Sequence, residues 1–177
     1  MRVLSAMLGP VLALGGLGLP AREAATDPVA LARVVGLDIA VPAAVNLGVG
    51  FVGGTLTGRL GSVEVRDQRG PVNPNLWVVT VSATAFVTGA GGAGRTIANG
   101  QVSYWSGPAV RETGGGTLVP GQVTQAQAVT LGVPREAFRK TAGNGNNMVS
   151  WSPTLRIAIP SGVVAGSYTG TITHSVA

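Results

Sequence analysis

One segment constrains the fold more than any other: residues 76–87, which read Leu-Trp-Val-Val-Thr-Val-Ser-Ala-Thr-Ala-Phe-Val. β-Branched and aromatic residues fill nearly every position, and they are enriched in strands because they pack well on a pleated, half-buried surface. So dense a run is typical of a central strand rather than an edge strand. We therefore expect a sheet protein organised around residues 76–87.

Shorter strand signals and glycine-rich loops follow one another along the rest of the chain. The composition agrees, because 28 glycines with only 11% charged residues favour strands joined by many turns. Loops are predicted at 89–94 and 114–116, where glycines cluster. These features predict an all-β fold, a β-sandwich with Gly-rich loops. The further predicted strands are 37–41, 60–67, 101–106, 125–131, 148–159 and 166–176.

The amino terminus has the layout of a secretory signal. A short cationic start, an apolar run interrupted by glycine and proline, and small residues at the exit occupy residues 1–25. Removal of this segment predicts a mature protein that begins between Arg22 and Thr26. We divide the remainder into a leader segment, 26–36, and the sandwich domain, 37–177. The predicted location is outside the cell, with no membrane contact after cleavage.

The cysteine count and the net charge exclude some classes of chemistry and of binding partner. The chain has no cysteine, which rules out a disulfide framework and thiol chemistry. Its net charge of +5 is spread thinly, and a footprint on nucleic acid normally needs a basic cluster. We therefore expect no nucleic-acid partner. For an exported protein, an anionic wall polymer is the simpler explanation of the positive charge.

Residues suited to catalysis are scarce. His174 is the only histidine, and it has no neighbour in sequence that could orient it or share a metal. The nucleophile motif Gly-x-Ser-x-Gly is missing, and carboxylates are few. The glycines from Gly89 to Gly94 lack the Lys-Ser/Thr ending of a phosphate-binding loop. We expect neither catalysis nor a metal or cofactor.

Two stretches carry a family resemblance. Residues 61–70 followed by 76–86, with Asp-x-Arg-Gly between a strand and a Trp-bearing strand, resemble the first motif region of the WxL family of Gram-positive surface proteins. Residues 147–155 and 166–176, with Gly-x-Tyr-x-Gly-Thr-Ile-Thr, are similar to the carboxyl-terminal motif of such domains, especially in actinobacterial secreted relatives. Neither tryptophan here stands in a literal Trp-x-Leu triplet.

The resemblance implies a secreted, non-catalytic domain held noncovalently on the cell wall, by peptidoglycan or another wall polymer, often beside other surface proteins. Its role there would be structural or adhesive. One alternative is a subunit of a surface assembly or pilus-like fibre, joined by strand addition at a sheet edge. A small secreted hydrolase is a third reading that the shortage of catalytic residues disfavours.

The three tryptophans are the candidate wall or ligand contacts. Trp77 and Trp151 either contact the wall or anchor the core, and the apolar strand around Trp77 favours the core. Polar neighbours make Trp151 the better candidate for partial exposure. Alternation places Trp105 opposite Val102 and Tyr104, so its ring points outward or lies under a Gly-rich loop.

Four further residues are assigned structural roles. Asp67 and Arg69 are close enough to form a local salt bridge that braces the turn at Gly70, which is more usual than a functional ion pair. Tyr168 belongs to the carboxyl-terminal motif, and alternation places it on the face of Ile172 and Val176.

Overall fold

A computed structural model describes residues 36–177 and, ahead of them, the backbone of residues 3–7. Met1, Arg2 and residues 8–35 lie outside the described residues. Most of the predicted signal segment 1–25, its cleavage region and nearly all of the leader segment 26–36 therefore fall there.

The described chain is built of strands, with two three-residue 3-10 turns at Asn99–Gln101 and Gln125–Gln127 as its helical elements. Strand bounds in chain order are β1 Val3–Met7, β2 Leu37–Ala40, β3 Thr55–Arg59, β4 Val63–Asp67, β5 Trp77–Ala83, β6 Phe86–Val87, β7 Thr96–Ile97, β8 Val102–Trp105, β9 Ala109–Gly114, β10 Thr117–Pro120, β11 Val129–Thr130, β12 Arg135–Ala142, β13 Asn147–Trp151, β14 Thr154–Ala158 and β15 Thr171–Val176.

These strands form three antiparallel sheets and one small hairpin. The first sheet has the order β1-β15-β5-β12-β10, the second β2-β4-β13-β9 and the third β11-β8-β14-β3. The hairpin joins β6 to β7. β5 lies in the middle of the first sheet, which confirms the prediction that its segment is central.

The second and third sheets share three chain segments that bend from one sheet into the other. β13 runs into β14, and it pairs Trp151 with Val63 just before β14 pairs Thr154 with Arg59. The bend falls at Pro153, which has no backbone donor for a ladder. β3 with β4, and β8 with β9, cross the same boundary, so the two sheets make one continuous, bent layer.

The first sheet packs on this bent layer. Phe138 of β12 stacks on Trp151 of β13 with ring centroids 4.8 Å apart. Farther along, His174 of β15 and Tyr104 of β8 share a buried hydrogen bond of 3.2 Å. Two packed layers with apolar side chains between them are a β-sandwich, as the sequence predicts.

Several of the expected strands are divided or shorter. The segment 148–159 is divided into β13 and β14, and 166–176 is a strand only over Thr171–Val176. Residues 76–87 break after Ala83 into β5 and β6, and 125–131 contains a 3-10 turn before the short β11. β3, β9 and β10 have no counterpart among the predictions, and neither does β12. A bulge in its pairing with β5, between Glu136 and Phe138, turns the adjacent Ala137 and Phe138 both inward, so the strand lacks a clean alternation.

Candidate functional site

An open apolar cleft of about 520 Å³ lies where β3 begins and β14 ends. Its walls come from the loop after β2, from the hairpin β6–β7 and from the loop that precedes β15. A concave, mostly apolar site of this size falls in the usual range for ligand pockets. The lining residues are Asn46, Leu47, Gly48, Val49, Gly50, Val52, Leu56, Phe86, Ile97, Ile157, Ile159 and 163–168.

The loop on one side of the cleft is held close to the sheet. A Cβ atom on Gly50 would lie 2.5 Å from Ile159 Cδ1 and 3.1 Å from the Leu56 Cβ atom, so glycine permits the approach. A turn bond from the Gly54 amide to the Phe51 carbonyl, 2.9 Å long, fixes the tip. The loop therefore presents a defined surface beside the cleft.

Apolar side chains project into solvent from this loop. Val49 is 92% exposed and Phe51 85%, with Val52 and Val164 less exposed nearby. Single exposed apolar residues are ordinary, but several together beside an apolar cleft are typical of a contact surface. We call Val49, Phe51, Val52 and Val164, together with the cleft, the apolar rim.

Tyr168 supports the opposite wall of the cleft. Its hydroxyl donates to the Val164 carbonyl at 2.8 Å and lies 3.3 Å from the Gly94 carbonyl, which joins the loop before β15 to the loop between β6 and β7. The sequence assigned Tyr168 a structural role, and its hydrogen bonds are of that kind. Its position in the wall of the cleft was not foreseen.

Asp67 and Arg69 form the predicted salt bridge. Arg69 donates from Nε and Nη2 to the two carboxylate oxygens at 3.0 and 2.8 Å, and its amide donates to Oδ1 at 3.1 Å. The Asp67 side chain is fully buried and that of Arg69 is partly exposed, so the pair is less open to water than an ordinary surface ion pair. The turn that follows contains Gly70 at φ +83°, and the Gly70 amide donates to Asn146 Oδ1.

Further buried groups extend this pair into a network. Arg69 also donates to Asn75 Oδ1 at 2.9 Å, and Asn147 Nδ2 donates to Asp67 Oδ2 at 3.3 Å. The indole of Trp77 completes it by donating to Asn147 Oδ1 at 3.1 Å. We call these five residues the polar cluster.

Arg69 keeps the Asp67 carboxylate of the polar cluster ionised. Burial by itself raises the pKa of Asp67, but the hydrogen bonds and charge of Arg69, together with the bond from Asn147, hold that pKa below its ordinary value. The same carboxylate raises the pKa of Arg69. The pair is ionised at neutral pH and braces the turn, as a structural ion pair does.

Two of the three candidate contact tryptophans are core residues. Trp77 is 1% exposed and Trp151 0%, so neither ring has a face open to a ligand. The expected partial exposure of Trp151 is wrong because β13 lies between β4 and β9 and its ring meets Phe138 across the sandwich. Trp151 Nε1 donates to the buried hydroxyl of Tyr104 at 3.3 Å.

Trp105 differs from the other two. It is only partly buried, while Val102 and Tyr104 on its strand are fully buried, as the alternation predicts. It pairs with Thr154 of β14 and does not line the cleft. The structure thus does not bring the three tryptophans together at one surface.

The apolar rim was missed from the sequence. Its main segment, residues 47–54, reads Leu-Gly-Val-Gly-Phe-Val-Gly-Gly and has neither charge nor strand periodicity, so no motif drew attention to it. The usable signal was a large aromatic residue, Phe51, in a glycine-rich loop, where few neighbouring side chains are present to cover its ring.

Two titratable residues outside the polar cluster, His174 and Tyr104, are fully buried. Burial lowers the pKa of His174 to about 4, which leaves the imidazole neutral at ordinary pH, and it raises the pKa of Tyr104. Residues 36–177 hold no group of three or more His, Asp or Glu side chains placed to bind a metal ion. Nor does any helix in the described part of the chain have the length and apolar character to cross a membrane.

The arrangement therefore separates two regions: a closed, ionised cluster that braces the fold and an open apolar rim that can make contacts. Comparisons with protein-family models, with the curated proteins and with the solved structures find no match to this chain.

Proposed function

We propose that this protein is a non-catalytic, exported surface protein that attaches noncovalently to the cell wall, with the apolar rim as its contact. The observation that carries the proposal is the exposure of Phe51 and Val49 beside a cleft that already has a fixed shape. A catalytic site would place acidic, basic or nucleophilic side chains at the cleft, whereas this one is lined mostly by aliphatic and small residues, and the Tyr168 hydroxyl is bonded to backbone carbonyls.

The wall ligand that fits is a glycan or another wall polymer. Aromatic side chains offer a flat apolar face, and such faces dominate contact energetics at binding surfaces. The net charge of +5 adds a general attraction to an anionic polymer, which increases the rate of encounter more than the specificity. The wall motifs of the resembling family supply the choice of ligand class.

Sedimentation with isolated cell walls tests the proposal. Purified protein should pellet with walls, and Val49→Ala should pellet less. Val110→Ala is the matched control, because Val110 is also an exposed valine, at 72%, and lies on β9 away from the cleft. If Val49→Ala and Val110→Ala pellet as well as the parent, the rim is not the contact.

A second candidate function, assembly by strand addition, is favoured by one specific observation. β1 pairs with β15 from Val3–Ser175 to Met7–Thr171, and β1 belongs to the segment predicted to be removed on export. Without β1, the outer edge of β15 would expose unpaired amides and carbonyls, which is a template for a strand from another chain.

Truncation separates the two candidates. A chain beginning at Thr26 should self-associate on size-exclusion chromatography with light scattering if β15 recruits a neighbour. A peptide with the sequence of residues 3–7 should then reduce the association by occupying the same edge. A truncated chain that stays monomeric at high concentration argues against assembly and leaves wall attachment as the function.

A further inference from the structure

Lys140 lies where a free ammonium group is costly. The residue is 2% exposed, and within the described part of the chain its Nζ atom has no hydrogen-bond partner. An ionised group taken out of water without a partner loses several kcal/mol or more, which is why buried charges are paired, shifted in pKa or chemically altered.

The position of Lys140 is fixed by the strand pairing. In the first sheet Lys140 lies directly opposite Trp77, and both side chains point into the sandwich. A Cβ atom on Gly116 would lie 2.5 Å from Lys140 Cε, so glycine, at φ +125°, leaves the room that the lysine tail occupies.

This position brings the lysine to the polar cluster. The indole of Trp77, its cross-strand neighbour, is bonded to the side-chain oxygen of Asn147, and the amide nitrogen of Asn147 is bonded to Asp67. β12 and β13 follow each other in sequence through the short loop 143–146, and the Lys140 amine lies close enough to Asp67 and Arg69 to interact with both charges.

The three groups have complementary chemistry. Burial lowers the pKa of the Lys140 amine, Asp67 raises it in part, and Arg69 lowers it again, with a net decrease that favours the neutral, nucleophilic amine. The side chain of Asn147 supplies an amide carbon. Trp77 donates to the oxygen of that amide, where negative charge develops on attack, and Asp67 accepts from the nitrogen that would leave.

We propose that Lys140 and Asn147 become joined by an isopeptide bond, with Asp67 as the proton carrier. A bond forms between Lys140 Nζ and Asn147 Cγ, and the bond between Asn147 Cγ and Nδ2 breaks. One proton passes from Nζ through the Asp67 carboxylate to Nδ2, which leaves as ammonia. No oxidant, reductant or further reactant takes part. The product amide replaces a buried, partnerless amine by a neutral group.

Tryptic mapping of the folded, full-length wild-type protein tests the proposal. Trypsin cleaves after unmodified lysine, so a free Lys140 gives a peptide of residues 141–156. A bonded Lys140 is not cleaved and gives residues 140–156 as one internally closed peptide, lighter than its sequence by one ammonia. A quantitative yield of unmodified 141–156 overturns the proposal.

Two other products are distinguished by the same map. Asn144-Gly145 is a sequence prone to succinimide formation, which also releases ammonia but leaves Lys140 cleavable. A bond from Lys140 to the buried Asn75 would join residues 140–156 to a peptide from another part of the chain. Either product in place of closed 140–156 overturns the assignment.

Variants then assign the roles. Lys140→Met removes the amine at similar volume, and its intact mass should equal that of its sequence. Asp67→Asn should fold with the bond reduced or lost, while Asp38→Asn, a carboxylate of β2 outside the cluster, should keep the bond in full. Full bond formation in Asp67→Asn would overturn the role of Asp67, and this result can be read on whatever folded fraction the variant yields.

Discussion

The two ends of the long bent strand β13–β14 differ in which side chains they bury. At its start, Asn147 joins the polar cluster, where every carboxylate oxygen and side-chain amide described is engaged inside the protein. At its far end, Ile157 and Ile159 open into the apolar rim, where Val49 and Phe51 project into water. Polar groups are buried at one end and apolar groups are exposed at the other.

Each end carries a cost that the fold must offset. Burying Asp67 loses its hydration, which the hydrogen bonds from Arg69 and Asn147 replace. Exposing Phe51 gives up the stabilisation that burial of an aromatic side chain provides, about 2 kcal/mol. The hydrogen bonds of the polar cluster stabilise the folded state. The exposed ring of Phe51 can still gain free energy when a partner covers it. Substitutions at the two ends should therefore separate stability from binding.

The largest expected effect is on the closed end. Asp67→Ala should lower the free energy of unfolding by about 3–5 kcal/mol, because it removes one partner of a buried pair and leaves Arg69 and Asn147 without their common acceptor. Urea unfolding followed by tryptophan fluorescence measures the change. Asp38→Ala, on the part-exposed β2, is the control and should cost less than about 1 kcal/mol. If Asp67→Ala and Asp38→Ala lower the free energy of unfolding equally, the polar cluster does not stabilise the fold more than an ordinary carboxylate does.

The next largest effect is a pH dependence of the free energy of unfolding. It arises from His174, which is buried between the two layers. His174 has an ordinary pKa of 6.5 when unfolded and about 4 when folded, because burial disfavours its charged form. The unfolded chain therefore binds a proton first, and stability falls as the pH is lowered from about 6.5 to about 4. At about 1.4 kcal/mol for each pH unit in that interval, the loss reaches about 3 kcal/mol.

Unfolding curves measured at a series of pH values check this dependence. His174→Gln, which keeps a polar group near the Tyr104 hydroxyl, should flatten the curve between pH 6.5 and 4. Asp67 acts in a different window: its folded pKa is depressed, so its stabilisation is present above the ordinary pKa and is lost only as the pH falls below about 3.8. A curve unchanged by His174→Gln would contradict the buried neutral histidine.

The open end should show the reverse pattern. Phe51→Ala should change the free energy of unfolding by less than about 0.5 kcal/mol, because the ring is largely in solvent. Attachment to purified walls should weaken by about 1–2 kcal/mol, which is about five- to thirty-fold in the dissociation constant. Wall sedimentation and unfolding are measured on the same preparation. A variant that loses stability and keeps attachment would reverse the roles assigned to the two ends.

The smallest expected effect is at Trp105, which belongs to neither end. Its ring is partly exposed on β8 and does not line the cleft. Trp105→Ala should weaken wall attachment by about 1 kcal/mol or less, since only part of the ring is open to a ligand. The binding isotherm of a variant first checked for folding by circular dichroism measures this. A larger loss than that of Phe51→Ala would move the proposed contact from the rim to the face of β8.

The sequence determined the features that depend on near neighbours. Alternation gave β2, β4, β8 and β15 their inward and outward faces, and the density of β-branched residues located the central β5. The Asp67–Arg69 pair could be read from a spacing of two residues, because its geometry is decided by one turn. Such features follow from local backbone periodicity and short contacts, which the order of residues specifies directly.

Tertiary structure alone decided the features that depend on which segments meet. Trp151 looked accessible among polar neighbours, yet Phe138 of another sheet covers it. Nothing in the sequence around Lys140 indicates burial, and only the pairing of β12 with β5 places it opposite Trp77 inside the sandwich. The apolar rim exists because loops from three parts of the chain converge on one end of β14. Burial is a property of the assembled layers, and no local pattern in the sequence encodes which surface another segment will cover.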